Sequence, residues 1–323
     1  MTAPAPGGAR ATGRLARILA DGAFAVTAEV VPPASADLGA VTDQARALVG
    51  YADAANVTDN PRSSAHMSPL AGVAAVAAAG VEPIVQLTCR DRNRLALTAD
   101  LLGAWALGAR SVLCLTGDPA STGDHPEALE VHDLAVTDLV RLAVRLRDEG
   151  RLLSGAPVDP APRYLVGVAD VPLAGPYDPG RLDRKLDAGA DFVQTQIVFD
   201  VDGLGEWADG ARARGVFERA RVIVGIAPLR SARQARYLDE QLPGVVVPPE
   251  LVRALEEAGP DAAATGVRLA VGILERIRGV EGIAGVHVMG LGREDAVRRV
   301  IEAAGLVPRP TLAGAQPRSS IGT

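Results

Sequence analysis

Glu29 lies in the apolar string AEVVPP, between Ala28 and Val30. A carboxylate with such neighbours must face the open end of a fold or meet a cation, because an isolated buried charge is costly. Burial without a cation raises a carboxyl pKa toward neutrality, which suits a general acid. The plain alternative is an ion pair with an Arg or Lys lining the interior, and the residues alone weigh the two equally. Asp118 follows the tight turn Thr116-Gly117 and could be a second reactive carboxylate or a turn cap. Gln194 and Gln196 share one face of an extended run, and Gln196, nearer its end, is expected to meet a ligand. Asp178, Arg181, Arg184 and Lys185 cluster at helical spacing. That cluster could clamp a phosphate or pyrophosphate, or be only a solvated helix face. Cys89 and Cys114 are expected to pack as small hydrophobes rather than act as nucleophiles.

The elements that must position these residues are legible as short β-branched runs alternating with longer Ala/Leu/Arg segments. Strands are predicted at Phe24–Val30, Ala54–Thr58, Pro83–Thr88, Ser111–Thr116, Tyr164–Val168, Phe192–Ile197, Val222–Ile226 and Gly285–Met289. Each is an apolar run of the kind expected for strands buried on both faces. Helical patterns fall at 37–49, 68–79, 94–107, 133–149, 179–188, 201–215, 230–240, 248–257, 261–278 and 293–304. Asp91 or Asn93 and Ser231 or Arg230 offer helix starts, and Gly80, Gly108 and Gly189 offer helix stops. Eight strand-then-helix units imply an α/β protein folded as a single (β/α)8 TIM barrel, with its site at the C-terminal ends of the strands. A doubly wound sheet would place a glycine-rich phosphate turn after its first strand. Here that strand runs into Val31-Pro32-Pro33, and Gly290-Leu291-Gly292 after the eighth strand is only a partial match. The strand-end rule gathers Glu29, Thr58, Gln86, Asp118, Asp170, Gln196 and the stretch Met289 to Arg293 at one mouth. The ends MTAPAPGGARAT and GAQPRSSIGT lack hydrophobic period. The barrel is therefore expected over 14–309, with disordered tails at 1–13 and 310–323.

Composition narrows the function classes. Hydrophobic residues make 48% and charged residues 22% of the 323, which excludes whole-chain disorder. Aromatics are only 3%, so the core must be built from Ala, Val, Leu and Ile. A net charge of −6 argues against nucleic acid as a partner. The longest apolar stretch, Ala71 to Val81, is too short for a membrane span, and no secretory signal is expected. With two cysteines, no CxxC or HExxH and four scattered histidines, a metal site is not expected, and a reducing cytoplasm is. Oligomeric state leaves no such mark, so a homo-oligomer stays open.

The strings AEVVPP, QLTCRDRN, CLTGD, DRKLDAGADFVQTQIVFD and GIAPL, in this order from about Phe24 to Pro308, resemble the methylenetetrahydrofolate reductases. RDRN and GDHPEA are most similar to the form found in acetogens and related bacteria. The resemblance implies a flavin-containing barrel that reduces 5,10-methylenetetrahydrofolate to 5-methyltetrahydrofolate with NADH or NADPH, in the one-carbon metabolism that feeds methionine. It makes Glu29 the acid that opens the folate ring and Asp118 a carboxylate tuning hydride transfer. Gln196, Leu291 and Arg293 become substrate-side residues. Thr58, Gln86, Thr116, Gly117, Asp118, Asp178, Arg181, Arg184 and Lys185 fall at FAD-side positions. Gln86 stands where the family often has His, Thr116 where it has Arg, and Ala232 and Met289 where it has aromatics. Loosely bound FAD is therefore implied, beside two alternatives: direct hydride transfer from nicotinamide to folate, or a folate-binding accessory barrel of a methyl-transfer complex. A pterin-binding methyltransferase barrel would need a different set of residues at the strand ends.

Overall fold

The structure, a computed structural model, describes residues 11–312. Eight parallel strands close into a barrel in sequence order. They are β1 (Ala25–Val30), β2 (Ala54–Val57), β3 (Pro83–Thr88), β4 (Ser111–Leu115), β5 (Leu165–Asp170), β6 (Phe192–Ile197), β7 (Arg221–Ile226) and β8 (Ile283–Val288). The helices are α1 (Arg14–Ala20), α2 (Leu38–Ala47), α3 (Pro69–Ala78), α4 (Arg94–Leu107), α5 (Val136–Glu149), α6 (Pro179–Asp187), α7 (Val201–Ala213), α8 (Val216–Arg219), α9 (Ala232–Gln241), α10 (Pro249–Glu257), α11 (Ala262–Arg278) and α12 (Glu294–Ala303). Closure pairs Ala25 with Gly285 and Thr27 with His287. The barrel expected from the sequence is therefore the fold observed. Among the described residues no helix is long and apolar enough to cross a membrane.

Expected caps explain several helix limits. Asn93 accepts from the Leu95 and Ala96 amides at the start of α4, and Ser231 accepts from Gln234 at the start of α9. Asp91 does not cap; its carboxylate is held by Arg90. Gly108, at φ 114°, ends α4 in the left-handed region that side chains avoid.

Two helices were not anticipated. The helical pattern 201–215 stops at Ala213, and the short α8 follows. More consequential is α1, which plugs the lower end of the barrel. Leu15, Ile18 and Leu19 bury against Ala25, Ala54, Ile84, Leu113, Leu165, Phe192 and Ile223, one inward residue from each of seven strands. Leu312 joins this cluster, and Thr12 N–H donates to the Arg163 carbonyl. Packed chain thus continues past the expected barrel limits of 14 and 309; most of both expected tails lies outside the described residues. The plug is locked by Asp53, whose buried carboxylate receives Arg14, Arg309 and the Val26 amide.

Above this apolar layer the interior turns polar. Asn56 Nδ2 donates to Gln194 Oε1 across the barrel at 3.0 Å, and Thr27 Oγ1 meets His287 Nδ1 at 3.0 Å. Burial holds His287 down to a pKa of about 3, so it is neutral. Barrel interiors are more often filled by branched apolar residues; here a polar floor lies directly under the mouth.

Candidate active site

The mouth is built on an ion-pair scaffold drawn from the TDN and CRDRN strings. Asp59, just past β2, accepts a bidentate pair from Arg92 at 2.7 and 2.9 Å and the Thr88 amide at 2.8 Å. Arg92 also reaches Asp100 of α4. Arg90, almost fully buried, binds Asp91 and donates to the backbone carbonyls of Asp118 and Asn60. These contacts support a strained loop. Asn60, Arg62 and Ser63 all have φ between 44° and 56°, a region that costs a non-glycine residue about 1–2 kcal/mol each. Asn60 Oδ1 accepts from the His66 amide, and Asp118 Oδ2 accepts from the Arg62 amide at 3.0 Å. Gly123 leaves the loop its place, since a Cβ there would lie 1.8 Å from the Ser63 carbonyl oxygen.

A cavity of about 990 Å³ opens inside this frame. Glu29, Thr58, Gln196 and Leu291 line it, together with Arg62, Arg230 and Arg233. Glu29 belongs to β1 and shares inward parity with Ala25 and Thr27; Gln44 of α2 fixes the next turn by bonding both the amide and the carbonyl of Val31. No ion pair to Glu29 is present among the described residues, and its pKa is pushed up to about 7, chiefly by burial and secondly by Glu294. The ion-pair alternative for Glu29 is thus not what the fold builds. Thr58 Oγ1 is buried without a hydrogen-bond partner. Gln196 uses its Oε1 on the Ile197 amide, which leaves its NH2 free toward the cavity.

The other expected residues divide. Gln86, Thr116, Gly117 and Asp118 end β3 and β4 at the same mouth, but none of them lines this cavity. Asp118, expected beside the reacting atoms, is exposed and engaged with the Arg62 amide. The cluster on α6 also separates. Arg181 and Arg184 are exposed and sit 3.7 and 3.8 Å from Asp178, which caps the helix through Gly180. Lys185, the only lysine in the sequence, turns inward and donates to the Ala169 carbonyl at 2.6 Å. Burial lowers its pKa. Arg293 is drawn to Asp295 at 2.9 Å. Asp170, at the end of β5, accepts from Tyr177.

Cavity residues missed by sequence reasoning include Glu294, Arg62, Arg230, Arg233 and Tyr237. The signal for Glu294 is its place one residue beyond the strand-end stretch Met289 to Arg293. The arginines carry no local signature, because the chain has so many.

The sequence profile of methylenetetrahydrofolate reductase matches residues 14–305. The chain is 29% identical over 243 residues to methylenetetrahydrofolate reductase 1 of Schizosaccharomyces pombe, covering 70% of this chain and 36% of that protein. It is 26% identical over 238 residues to 5,10-methylenetetrahydrofolate reductase of Salmonella typhimurium, covering 71% of this chain and 72% of that one. The chain thus spans about a third of the length of the fission-yeast relative and of its Caenorhabditis elegans counterpart (36% and 33%). Among solved structures, a Clostridium thermocellum protein described as binding two copies of 5-methyl-5,6,7,8-tetrahydrofolic acid superposes with a TM-score of 0.62 at 13% identity, over 91% of this chain and 99% of that one. That likeness is one of fold. Because the profile runs from α1 through the end of α12, taking in every strand that carries a mouth residue, the chain belongs to the methylenetetrahydrofolate reductase family.

Proposed function

We propose that this barrel reduces 5,10-methylenetetrahydrofolate to 5-methyltetrahydrofolate at the expense of NADH or NADPH. The observation that carries the reading is Glu29: a carboxyl without a cation partner, with a pKa of about 7, in a cavity lined by free amide and hydroxyl donors. A barrel that only bound folate would gain nothing from an uncompensated acid there, which disfavours the accessory reading. Protonated Glu29 gives its proton to N10 of the imidazolidine ring, the ring opens, and an N5 iminium cation forms. Gln196 orients the pterin through its unused NH2. Leu291 covers it from the turn after β8, where Arg293 also sits. Hydride addition to the iminium carbon completes the methyl group.

FAD belongs to this proposal at three points. Thr58 Oγ1 is an orphaned buried hydroxyl at the cavity wall. Gly117, at φ 95°, has no room for a Cβ, which would lie 2.8 Å from Arg90 Cβ, so only glycine keeps the turn at this FAD-side position. Arg181 and Arg184 hold Asp178 only loosely and keep donors free for a diphosphate. Bound FAD supplies a two-electron hydride acceptor and donor. Lys185 is already committed to Ala169, and Gln86 and Thr116 bring no charge, so affinity is low. We also place the protein in a reducing cytoplasm, in keeping with its two free, buried thiols.

The test is to record the visible spectrum of purified protein and assay methyltetrahydrofolate formation with NADH or NADPH, with and without added FAD. Because Lys185 is the only lysine, amine-reactive labelling followed by mass spectrometry reads dinucleotide binding independently of turnover. FAD-dependent activity with Lys185 protected by FAD supports the full reading. A colourless protein that turns over at a rate indifferent to FAD supports direct hydride transfer. Failure to form methyltetrahydrofolate under any condition refutes the reductase reading.

A further inference from the structure

Glu29 does not face the cavity as its only carboxylate. Glu294 lines the same cavity from the first turn of α12. The turn that brings it there is unusual: Leu291 has φ 50° and Gly292 φ 83°, which reverses the chain directly after Met289. Arg293, the nearest cation in sequence, is drawn away to Asp295 and leaves Glu294 unneutralised. The first turn of a helix presents unpaired amide N–H groups that favour a negative charge. The two acids therefore differ in setting: Glu29 lies on a strand with no donor to its carboxyl among the described residues, whereas Glu294 lies at a helix start. Other charged or titratable groups around the cavity are Arg62 and His66 from the loop after β2, and Arg230, Arg233 and Tyr237 at and before α9. Glu294 shares the cavity with Glu29 and adds to the upward push that burial gives its carboxyl.

We propose that Glu294 is a positioning residue that keeps the acidic proton on Glu29 until the folate ring takes it. This inference rests on the reductase reading. In the step it serves, the Glu29 O–H bond breaks and an N–H bond forms at N10. The bond from N10 to the methylene carbon breaks, with its electron pair passing to N10. Glu29 is left as a carboxylate, to be reprotonated from water. Two like charges in one cavity resist that last state, so the proton returns quickly and the acid is ready for the next turnover.

The experiment follows the Glu29 carboxyl directly and then through turnover. Its protonated C=O stretch, identified as the infrared band lost in Glu29→Gln, is titrated in the wild type and in Glu294→Gln, Glu294→Asp and Glu294→Lys. The midpoint should move to lower pH by about 0.5–1 unit in Glu294→Gln, further in Glu294→Lys, and little in Glu294→Asp. The alkaline limb of kcat/KM for the folate should follow, with a loss of about three- to tenfold at pH 8 in Glu294→Gln that shrinks toward pH 6. Unmoved midpoints in the Gln and Lys variants, or a loss equal at every pH, overturn the proposal. Shifted midpoints in a protein whose wild type makes no methyltetrahydrofolate leave the proton-holding role standing and remove the reductase reading.

Discussion

At the scale of single residues, the central quantity is the difference between Glu29 in the folded chain, near pH 7, and an ordinary glutamate at 4.5. Between those values the unfolded chain has released the proton and the folded chain keeps it. Stability contributed by this position therefore falls as pH rises from about 4.5 to about 7, then stays level. Glu29→Gln should remove that cost and stabilise the protein by about 2–3 kcal/mol at pH 8, with little gain at pH 4, measured by denaturant unfolding. The same variant should abolish folate reduction, and wild-type reduction should decline above about pH 7 as the acid form is lost. Higher stability with lost activity is the signature of a residue kept for chemistry; an unchanged rate in Glu29→Gln would make it a packing residue. This singularity was legible in AEVVPP, but the choice between acid and ion pair was not, because partners come from distant strands. For Asp118 the turn is legible in TGD, but the bond its carboxylate accepts from the Arg62 amide is not, because it depends on where residues 60–66 lie.

At the scale of elements, the loop after β2 is the part most dependent on others. Three left-handed residues are held by Asp118, by Asn60 and its partner Asp91, and by the Arg90 and Arg92 clamps. Asp118→Ala should release the Arg62 amide and raise the folate KM several-fold, whereas Asp118→Asn, which keeps an acceptor, should preserve KM; steady-state kinetics on the pair decides it. If Asn alone slows turnover by the roughly 2–4 kcal/mol typical of a lost electrostatic contact, Asp118 acts on the reactants by charge. Within the barrel wall, Gly167 exists for Phe192: a Cβ there would come within 2.1 Å of the ring. Gly167→Ala should destabilise by about 3 kcal/mol, and adding Phe192→Leu should recover part of it. All eight strands were legible because each is a short, mostly apolar run bounded by helical segments. The helix α1 was not, since RLARILA follows an Ala/Pro/Gly stretch and its amphipathic face finds its partner only once the barrel has closed.

At the scale of the whole molecule, the two ends of the barrel do different work. The upper end carries the strained loop, the cavity and the paired carboxylates. The lower end carries the stability: Asp53, buried, joins α1, the start of β1 and the segment near Arg309. Asp53→Asn should cost about 3–5 kcal/mol by leaving two guanidinium groups without their carboxylate, seen as a lower melting temperature, while the mouth of the molecules that remain folded keeps its affinity for folate. One further consequence follows from the same lock. Arg14 donates to the Pro310 carbonyl at 2.8 Å, so the first and last packed segments touch, on the face remote from the cavity. The chain is thus nearly a ring already. Linking residue 11 to residue 312 and reopening the chain in the loop at 151–163, which lies on that same lower face, should yield a circular permutant with the original fold and an unobstructed mouth. Partners fused at Ala11 or Leu312 would likewise start beneath the barrel, on the side away from substrate entering from above.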